Sequence, residues 1–392
     1  MNFVIISRQP WEEKNMGSNI RDMAKTLAMD HQVLFINQPL DWTVKFRKNQ
    51  RLEERNNFIK ENNGKQLIEV EKNLWVLSPA SILGSFNWIN DGFIYDFFNK
   101  WNGKCLANDI IKALKSLKWN NYVILNDNDM IQGFYLKEIL NPSIYIYYIR
   151  DNFLAVDYWK RHGQRLEPLL MQKADIVVSN SLYYNNIALK YNTNSTYIGQ
   201  GCLLELFDGN YIVPDDVAKI PHPRIGYTGT ITTLRLDVLL IEAIAIAHPD
   251  WQIILIGATE DSFPTKKLST YTNIIFLGSR PIHTIPDYLY AMDVLINPQV
   301  FNEVTIGNYP RKIDEYLAIG KPIVAINTET MSLFKEHVFL ANNNTEFITY
   351  IEKALNGENL SSVSEKIVFA QEHNWENSMS LLVKSIKNFL LK

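Results

Sequence analysis

Only two cysteines, Cys105 and Cys202, occur among 392 residues. They stand far apart without metal-ligand spacing, so neither a disulfide framework nor a zinc knuckle holds the fold. They read as free thiols of a reducing compartment, and the cytoplasm is the expected location. The seven histidines show no zinc spacing either, and there is no serine-hydrolase elbow. No uninterrupted apolar run reaches the roughly 18–20 residues that cross a bilayer. Met1-Asn-Phe-Val-Ile-Ile-Ser7 has no basic lead and no small-residue cleavage site, and reads as a first strand rather than a signal peptide. Charge of one sign is also missing: 39 Lys and Arg face 42 Asp and Glu, for a net charge of −3. The stretch 1–205 is slightly basic and the remainder acidic, which excludes the broad basic face of a nucleic-acid protein.

What is present is length and pattern. A chain this long exceeds the size at which one core keeps growing, so two domains are expected. Short apolar, β-branched runs alternate with helical patterns throughout. In the first half they are Phe3–Ile6, Val33–Ile36, Leu74–Leu77, Tyr122–Leu125, Ile144–Tyr148 and Ile176–Val178. In the second they are Arg224–Thr228, Gln252–Ile256, Ile274–Leu277, Val294–Asn297 and Pro322–Ile326. Near-continuous apolar strands of this kind are parallel and covered on both faces, an α/β class with two doubly wound units. The Pro-, Gly- and Asp-rich stretch 207–223 is the expected linker between a domain at 1–206 and one at 224–374. The tail 375–392 is a final amphipathic helix.

The segment Pro310-Arg-Lys-Ile-Asp-Glu-Tyr-Leu-Ala-Ile-Gly-Lys-Pro-Ile-Val324 is the most informative. Pro310 suits the first helical position. Ile313, Tyr316 and Leu317 share one face, Gly320 takes the left-handed stop, and Pro322 blocks continuation. Arg311 and Lys312 occupy the first turn, where cations oppose the helix dipole unless an anion joins them. Glu315 lies roughly 5–8 Å further along the axis, about the distance from a diphosphate to its ribose. An ordinary surface helix with a chance charge pattern fits the same residues.

This segment resembles the donor-site signature of GT-B glycosyltransferases, in particular the large retaining group numbered family 4. The resemblance implies two Rossmann-like parallel-sheet domains facing a cleft, with the last helix crossing back onto the first domain. It implies that Glu315 holds the ribose of a nucleotide sugar. Arg224-Ile-Gly-Tyr-Thr-Gly-Thr-Ile-Thr-Thr-Leu-Arg235 resembles the first strand-to-helix loop of the nucleotide domain, with Gly226 and Gly229 letting backbone approach a ligand. Many members carry Arg and Lys where this chain has Thr230 and Arg235, so the usual two-cation grip is reduced to Arg235. Phe276-Leu-Gly-Ser-Arg-Pro281 resembles the base-receiving loop, which makes Gly278, Ser279 and Arg280 nucleobase candidates. The family often places a second glutamate eight residues ahead of Glu315, where this chain has Gly307. A sub-branch has a Thr-containing loop there, which Val304-Thr-Ile-Gly-Asn308 resembles, so Thr305 and Asn308 are expected at the sugar or diphosphate.

On the acceptor side the candidates are Gly17 and Ser18, which open the first long helix, and Asp151, which follows a strand. Asp151 can orient or deprotonate an acceptor hydroxyl, and a structural ion pair with Arg150 suits it equally. Asp127-Asn-Asp129 mimics a metal-binding triplet, but polar triplets after strands are common. Trp42 and the basic residues of 45–60 suit an anionic membrane or a solvated helix alike, and the aromatic run Phe93–Trp101 is similarly open.

The expected activity is transfer of a hexosyl group from a nucleoside-diphosphate sugar to a hydroxyl of a cell-surface or lipid-linked glycan. Retention is implied, with Lys312 stabilising the leaving diphosphate and no metal or other cofactor. The enzyme is expected in the cytoplasm, with peripheral contact to an anionic membrane. A nucleotide-sugar epimerase of the same fold and a catalytically silent nucleotide-binding protein are the alternatives.

Overall fold

The computed structural model describes residues 1–12, 18–47, 50–202, 204–207 and 209–392, without the side chains of 45–47 and 50. The chain divides into two compact units. The first contains Met1–Gly199 and Ser378–Lys392, and the second Gln200–Asn377.

The first unit is built on an eight-stranded sheet. Its strands are β1 (Asn2–Ile6), β2 (Gln32–Ile36), β4 (Leu67–Glu71), β5 (Leu74–Leu77), β7 (Val123–Asp127), β8 (Ile144–Ile149), β9 (Ile176–Ser179) and β10 (Ser195–Tyr197). They stand in the order β10-β9-β8-β7-β1-β2-β5-β4, while β3 (Leu40–Asp41) and β6 (Ile82–Leu83) pair separately. All neighbours in the large sheet are parallel except β4, which turns back antiparallel on β5. Phe3 lies opposite Val33 on one side and Val123 on the other. The chain therefore leaves β1 in both directions across the sheet, and the carboxyl edge of β1 is a switch point where α/β folds gather ligands.

The second unit holds six parallel strands in the order β13-β12-β11-β14-β15-β16. They are β11 (Arg224–Thr228), β12 (Gln252–Ile256), β13 (Ile274–Gly278), β14 (Val294–Asn297), β15 (Ile323–Ile326) and β16 (Phe339–Ala341). Successive residues of β12 serve opposite faces. Ile253 and Leu255 join the core that includes Leu240, Ile244, Phe347 and Ile351. Ile254 and Ile256 join the one that includes Leu289, Ile313, Tyr316 and Leu317. Continuous apolar runs were needed because both faces are covered. The switch point here lies beyond β11, between β12 and β14.

The stretch expected as a linker belongs to the second unit. Val217 is fully buried, with Phe207, Tyr211 and Ile220 packed around it. Arg224 ties it down by donating to the carbonyls of Ile220, at 2.7 and 2.9 Å, and of Ala218, at 3.2 Å. Asp208 lies outside the described residues. The final helix, Trp375–Leu390, begins in the second unit, and its residues from Ser378 onward belong to the first. There Leu382 and Ile386 are buried and Ser385 meets Thr196. Among the described residues no helix is long and apolar enough to cross a membrane.

One buried acid marks the first core. Glu167 accepts the Tyr147 hydroxyl at 2.8 Å, and burial pushes its carboxyl up to about 7, with the Tyr147 hydrogen bond opposing. A carboxyl that is harder to ionise folded than unfolded stabilises fully at low pH, and that contribution is lost as pH rises toward the folded value. Glu167→Gln is therefore expected to stabilise the protein at pH 8 by on the order of 1–3 kcal/mol, and by much less at pH 5. Melting temperatures of both proteins across this range check it, and a pH-independent difference would sink the assignment.

Candidate active site

The second unit brings most of the candidates together at the carboxyl edge of β11. The helix Lys312–Ile319 starts two residues later than its sequence suggests. Arg311 is the cap residue, and Pro310 stands ahead of it with its carbonyl accepting the Ile313 amide at 2.8 Å. The amides of Arg311 and Asp314 are also bonded locally, to the Tyr309 and Arg311 carbonyls. Few free N–H groups remain in the first turn, so side chains supply most of its positive character. Gly320 ends the helix at φ 76°, as expected.

Residues 312 and 316 lie one turn apart on one face, and both reach β11. The Lys312 ammonium donates to the Tyr227 hydroxyl at 2.7 Å and lies 4.0 Å from the ring centroid. The Thr228 amide donates to the Tyr316 hydroxyl at 2.9 Å. The neighbouring face carries Arg311 and Glu315, with Nε to Oε1 at 3.4 Å.

Two glycines shape the loop above. A Cβ on Gly257 would lie 1.9 Å from the Gly229 carbonyl oxygen, so the two backbones touch where no side chain fits. A Cβ on Gly229 would stand 3.1 Å from the Lys312 ammonium. The Gly229 backbone thus sits against the cation, and φ 131° suits only glycine there. Gly226 has a different role from the one expected. It lies inside β11, where a Cβ would strike Met292 at 2.3 Å, so its smallness serves packing.

The electrostatics are unsatisfied. Burial pulls the Lys312 ammonium down to about 7; the positive charge of Arg235 adds to this and Glu315 opposes it. Burial likewise raises the Glu315 carboxyl, against the pull of Arg311 and Lys312. Arg235 is exposed, and its backbone is pinned because its carbonyl accepts the Val300 amide at 2.9 Å. Thr230 is exposed beside it. An arriving anion would compensate all three cations and restore the lysine charge.

Other candidates fall into supporting places. Thr305 is buried, and its hydroxyl donates to the Val300 carbonyl and accepts the Asn302 amide at 3.1 Å. It holds the loop rather than presenting an oxygen, because the loop turns inward to cover its own backbone. Asn308 is half-buried one turn away. The Arg280 guanidinium is committed to Asp216 at 2.8 Å and Tyr288 at 2.7 Å, which leaves the base-receiving role expected of this loop to its backbone. Gly278, at φ 71° with open space over its Cα, and exposed Ser279 remain available. Behind the site, buried Asp314 accepts from Tyr309 at 2.8 Å, His373 at 2.8 Å and the Cys202 thiol at 3.5 Å.

In the first unit, Asp151 pairs with Arg150 at 3.0 Å, and Arg150 is held in turn by Asp127 at 2.7 Å. Asn128 accepts the amides of both Arg150 and Asp151. Asp129 accepts those of Ile131 and Gln132. The acidic triplet is therefore turned inward and spent on the backbone and Arg150. Ser18 is a buried helix cap that accepts the Arg21 amide and donates to Gln9 at 2.7 Å, so it fixes the helix start. Gly17 lies outside the described residues. Arg8, which was not singled out, follows β1 with its guanidinium 3.5 Å from the Trp159 ring centroid, and burial lowers its pKa. Its only sequence signal was its place after a strand. Tyr227 and Gly257 were also missed, because a strand tyrosine and a lone glycine carry no spacing signal.

Residues 222–357, which contain Gly229, Arg235, Gly257, Gly278, Lys312 and Glu315, match the family described as glycosyl transferases group 1. The chain is also similar to a curated relative, the putative teichuronic acid biosynthesis glycosyltransferase TuaH of Bacillus subtilis. It is 28% identical over 224 residues, which is 54% of this chain and 55% of that protein. The chain thus matches about half the length of that relative. Over the full length, the fold is like that of sucrose-phosphate synthase from Thermosynechococcus elongatus. That pair has a TM-score of 0.68 at 14% identity, covering 100% of both chains. Anabaena HepE in complex with UDP has a TM-score of 0.67 at 14% identity, covering 99% of this chain and 100% of that one. An Escherichia coli trehalose-6-phosphate protein bound with UDP-2-fluoro glucose gives 0.71 at 10% identity, covering 99% of each. The fold of two parallel α/β units is therefore that of the GT-B class.

Because Gly257 admits no side chain against the Gly229 carbonyl, Gly257→Ala is expected to cost about 1–3 kcal/mol of stability through strain and loop displacement. Urea unfolding of the two proteins measures it, and a loss within error would mean that the loop yields freely.

Proposed function

We propose that this protein is a glycosyltransferase that binds a nucleoside-diphosphate sugar in its second unit. It would transfer the hexosyl group to a hydroxyl of a cell-surface or lipid-linked glycan. The observation that carries the reading is the group of Arg311, Lys312 and Arg235 near the bare backbone of Gly229, with Glu315 one turn along the helix from Arg311. The diphosphate would lie against the Gly229 loop and the three cations. Glu315 would accept the ribose hydroxyls, with the base toward Gly278 and Ser279. The UDP in the HepE structure and the UDP-sugar in the trehalose-6-phosphate structure make uracil the first base to try. The part ascribed to TuaH, in teichuronic acid biosynthesis, favours a polysaccharide acceptor.

In the reaction the sugar C1–oxygen bond to the diphosphate breaks and a bond from C1 to the acceptor oxygen forms. The acceptor proton leaves to a base or to the departing phosphate oxygen. Negative charge grows on the leaving diphosphate, where Lys312 and Arg311 already stand, and preorganised cations lower that barrier without reorganising. In this reading these side chains do the work that a metal does elsewhere, and the sugar keeps its anomeric configuration. Asp151, held by Arg150, would orient the acceptor hydroxyl. The protein would act in the cytoplasm at the membrane face.

Calorimetric titration with UDP in EDTA tests the donor site. Saturable binding is expected, weakened by about 1–3 kcal/mol in Glu315→Ala, the scale of a charged hydrogen-bond partner. Unchanged affinity in the folded variant would remove Glu315 from the ribose, and binding abolished by EDTA would reinstate a metal.

The pH dependence has a definite sign. Below its value of about 7, Lys312 is charged before ligand arrives; above it, the diphosphate must draw a proton in. UDP affinity is therefore expected to fall as pH rises from about 6 to about 9, by up to tenfold per unit. Lys312→Met should flatten the profile and remove the proton uptake seen between buffers of different ionisation heat.

A further inference from the structure

The helix Phe93–Leu117 buries Tyr95, Leu106, Ala107 and Ile110 in the first unit's core. Its other face is unusual. Phe93, Ile94, Phe97 and Trp101 are 83, 51, 68 and 45% exposed, and Trp88 in the preceding loop is 72% exposed. At 100° per residue the four helical positions share one arc of roughly 100°. A contiguous set of large aromatic side chains left in water is a docking surface.

The surrounding charge identifies what it docks on. Lys100 and Lys104 are exposed on the same side of the helix beside Phe97 and Trp101, and exposed Lys115 follows roughly 20 Å further along it. The nearby acids are withdrawn. Asp96 and Asp91 both pair with Arg165 at 2.7 Å, and buried Asp109 accepts the Ser81 amide at 2.7 Å. The net field at this face is positive, and it is ordered as apolar tip and then cationic collar.

The tip is also held rigid. His162 stacks on Tyr95 with centroids 3.5 Å apart and bonds the Asn87 carbonyl and Asp91. Arg161 holds the Trp88 carbonyl at 2.9 Å, and Phe86 stacks on Phe98 at 4.5 Å. Little side-chain and loop freedom is left to lose on docking. Half-exposed Trp42 extends the region, because Thr43 bonds Ser85 at 2.8 Å.

We propose that this face seats the first unit on an anionic lipid bilayer. Phe93, Ile94, Phe97 and Trp88 would enter the headgroup–acyl boundary while Lys100 and Lys104 meet lipid phosphates. The surface stands on its own geometry, and only its purpose, reaching a lipid-linked acceptor, rests on the function proposed above.

The test is flotation of the full chain with vesicles of phosphatidylcholine alone or mixed equally with phosphatidylglycerol. Binding to the anionic vesicles is expected. It should weaken with salt and fall about tenfold or more in the Phe93→Ser/Phe97→Ser variant. Lys100→Glu/Lys104→Glu should also reduce it. These side chains are exposed, so melting temperatures should hold. No binding to anionic vesicles at low salt, or equal binding by the Ser variant, overturns the proposal. So does light scattering that shows a dimer made monomeric by the Ser variant without vesicle binding, since a second copy would then be the occupant. UDP titration of the same samples keeps the two readings apart: retained UDP binding with no vesicle binding defeats docking alone, and the converse defeats the donor site alone.

Discussion

The contact on which the donor-side geometry depends is one of backbone against backbone. Beyond the ends of β11, β12 and β13 the ladder continues through loops. The Gly229 amide bonds the Ile256 carbonyl, the Gly257 amide bonds that of Gly278, and the Ile231 amide bonds that of Ala258. Three strand ends are laced this closely only because Gly257 meets the Gly229 carbonyl with nothing between. That crossing lays the loop flat beside Lys312, and the helix answers from below through Tyr227 and Tyr316. Loop and helix are two halves of one anchored structure.

The two units treat buried charge in opposite ways. At the carboxyl edge of the first sheet, Asp127, Asn128, Asp129 and Arg150 satisfy one another and the local backbone, so that edge is rigid and already compensated. At the edge of the second, Glu315 answers Arg311 and Lys312 while the charge of Arg235 adds to the burial that pulls the lysine down to about 7. A site left short of negative charge stores the drive to bind an anion, much as a strained loop stores the drive to relax.

The parallel strands were legible because burial on both faces demands unbroken apolar runs. Leu74–Leu77, Arg224–Thr228, Gln252–Ile256 and Val294–Asn297 carry the same limits in sequence and structure. The strands that went unread are short or sit at the sheet margins. Leu67–Glu71 alternates with charge, and Ser195–Tyr197 is polar and only partly buried. Arg311, Lys312 and Glu315 could be placed because helical spacing projects directly into space. The side-chain partners of Arg280 and Thr305, Asp216 and the Val300 carbonyl, were not legible because they come from contacts that no local pattern reports. Pro and Asp in 207–223 imitate a linker, but the apolar residues among them, Val217 and Ile220 above all, tie it to a core.

The thiol behind the site has a practical consequence. Cys202 is buried, and its pKa is driven well above the ordinary value, first by burial and then by the neighbouring charge of Asp314. Alkylating reagents need thiolate and access, and this residue offers neither while the fold is intact. Cys105 is the half-exposed one of the pair. Burial and Asp109 raise the Cys105 thiol as well, so a fluorophore is expected to react there first, in the first unit, and slowly. Slow appearance of a second labelled site would then act as a clock for opening of the helix that bears Asp314.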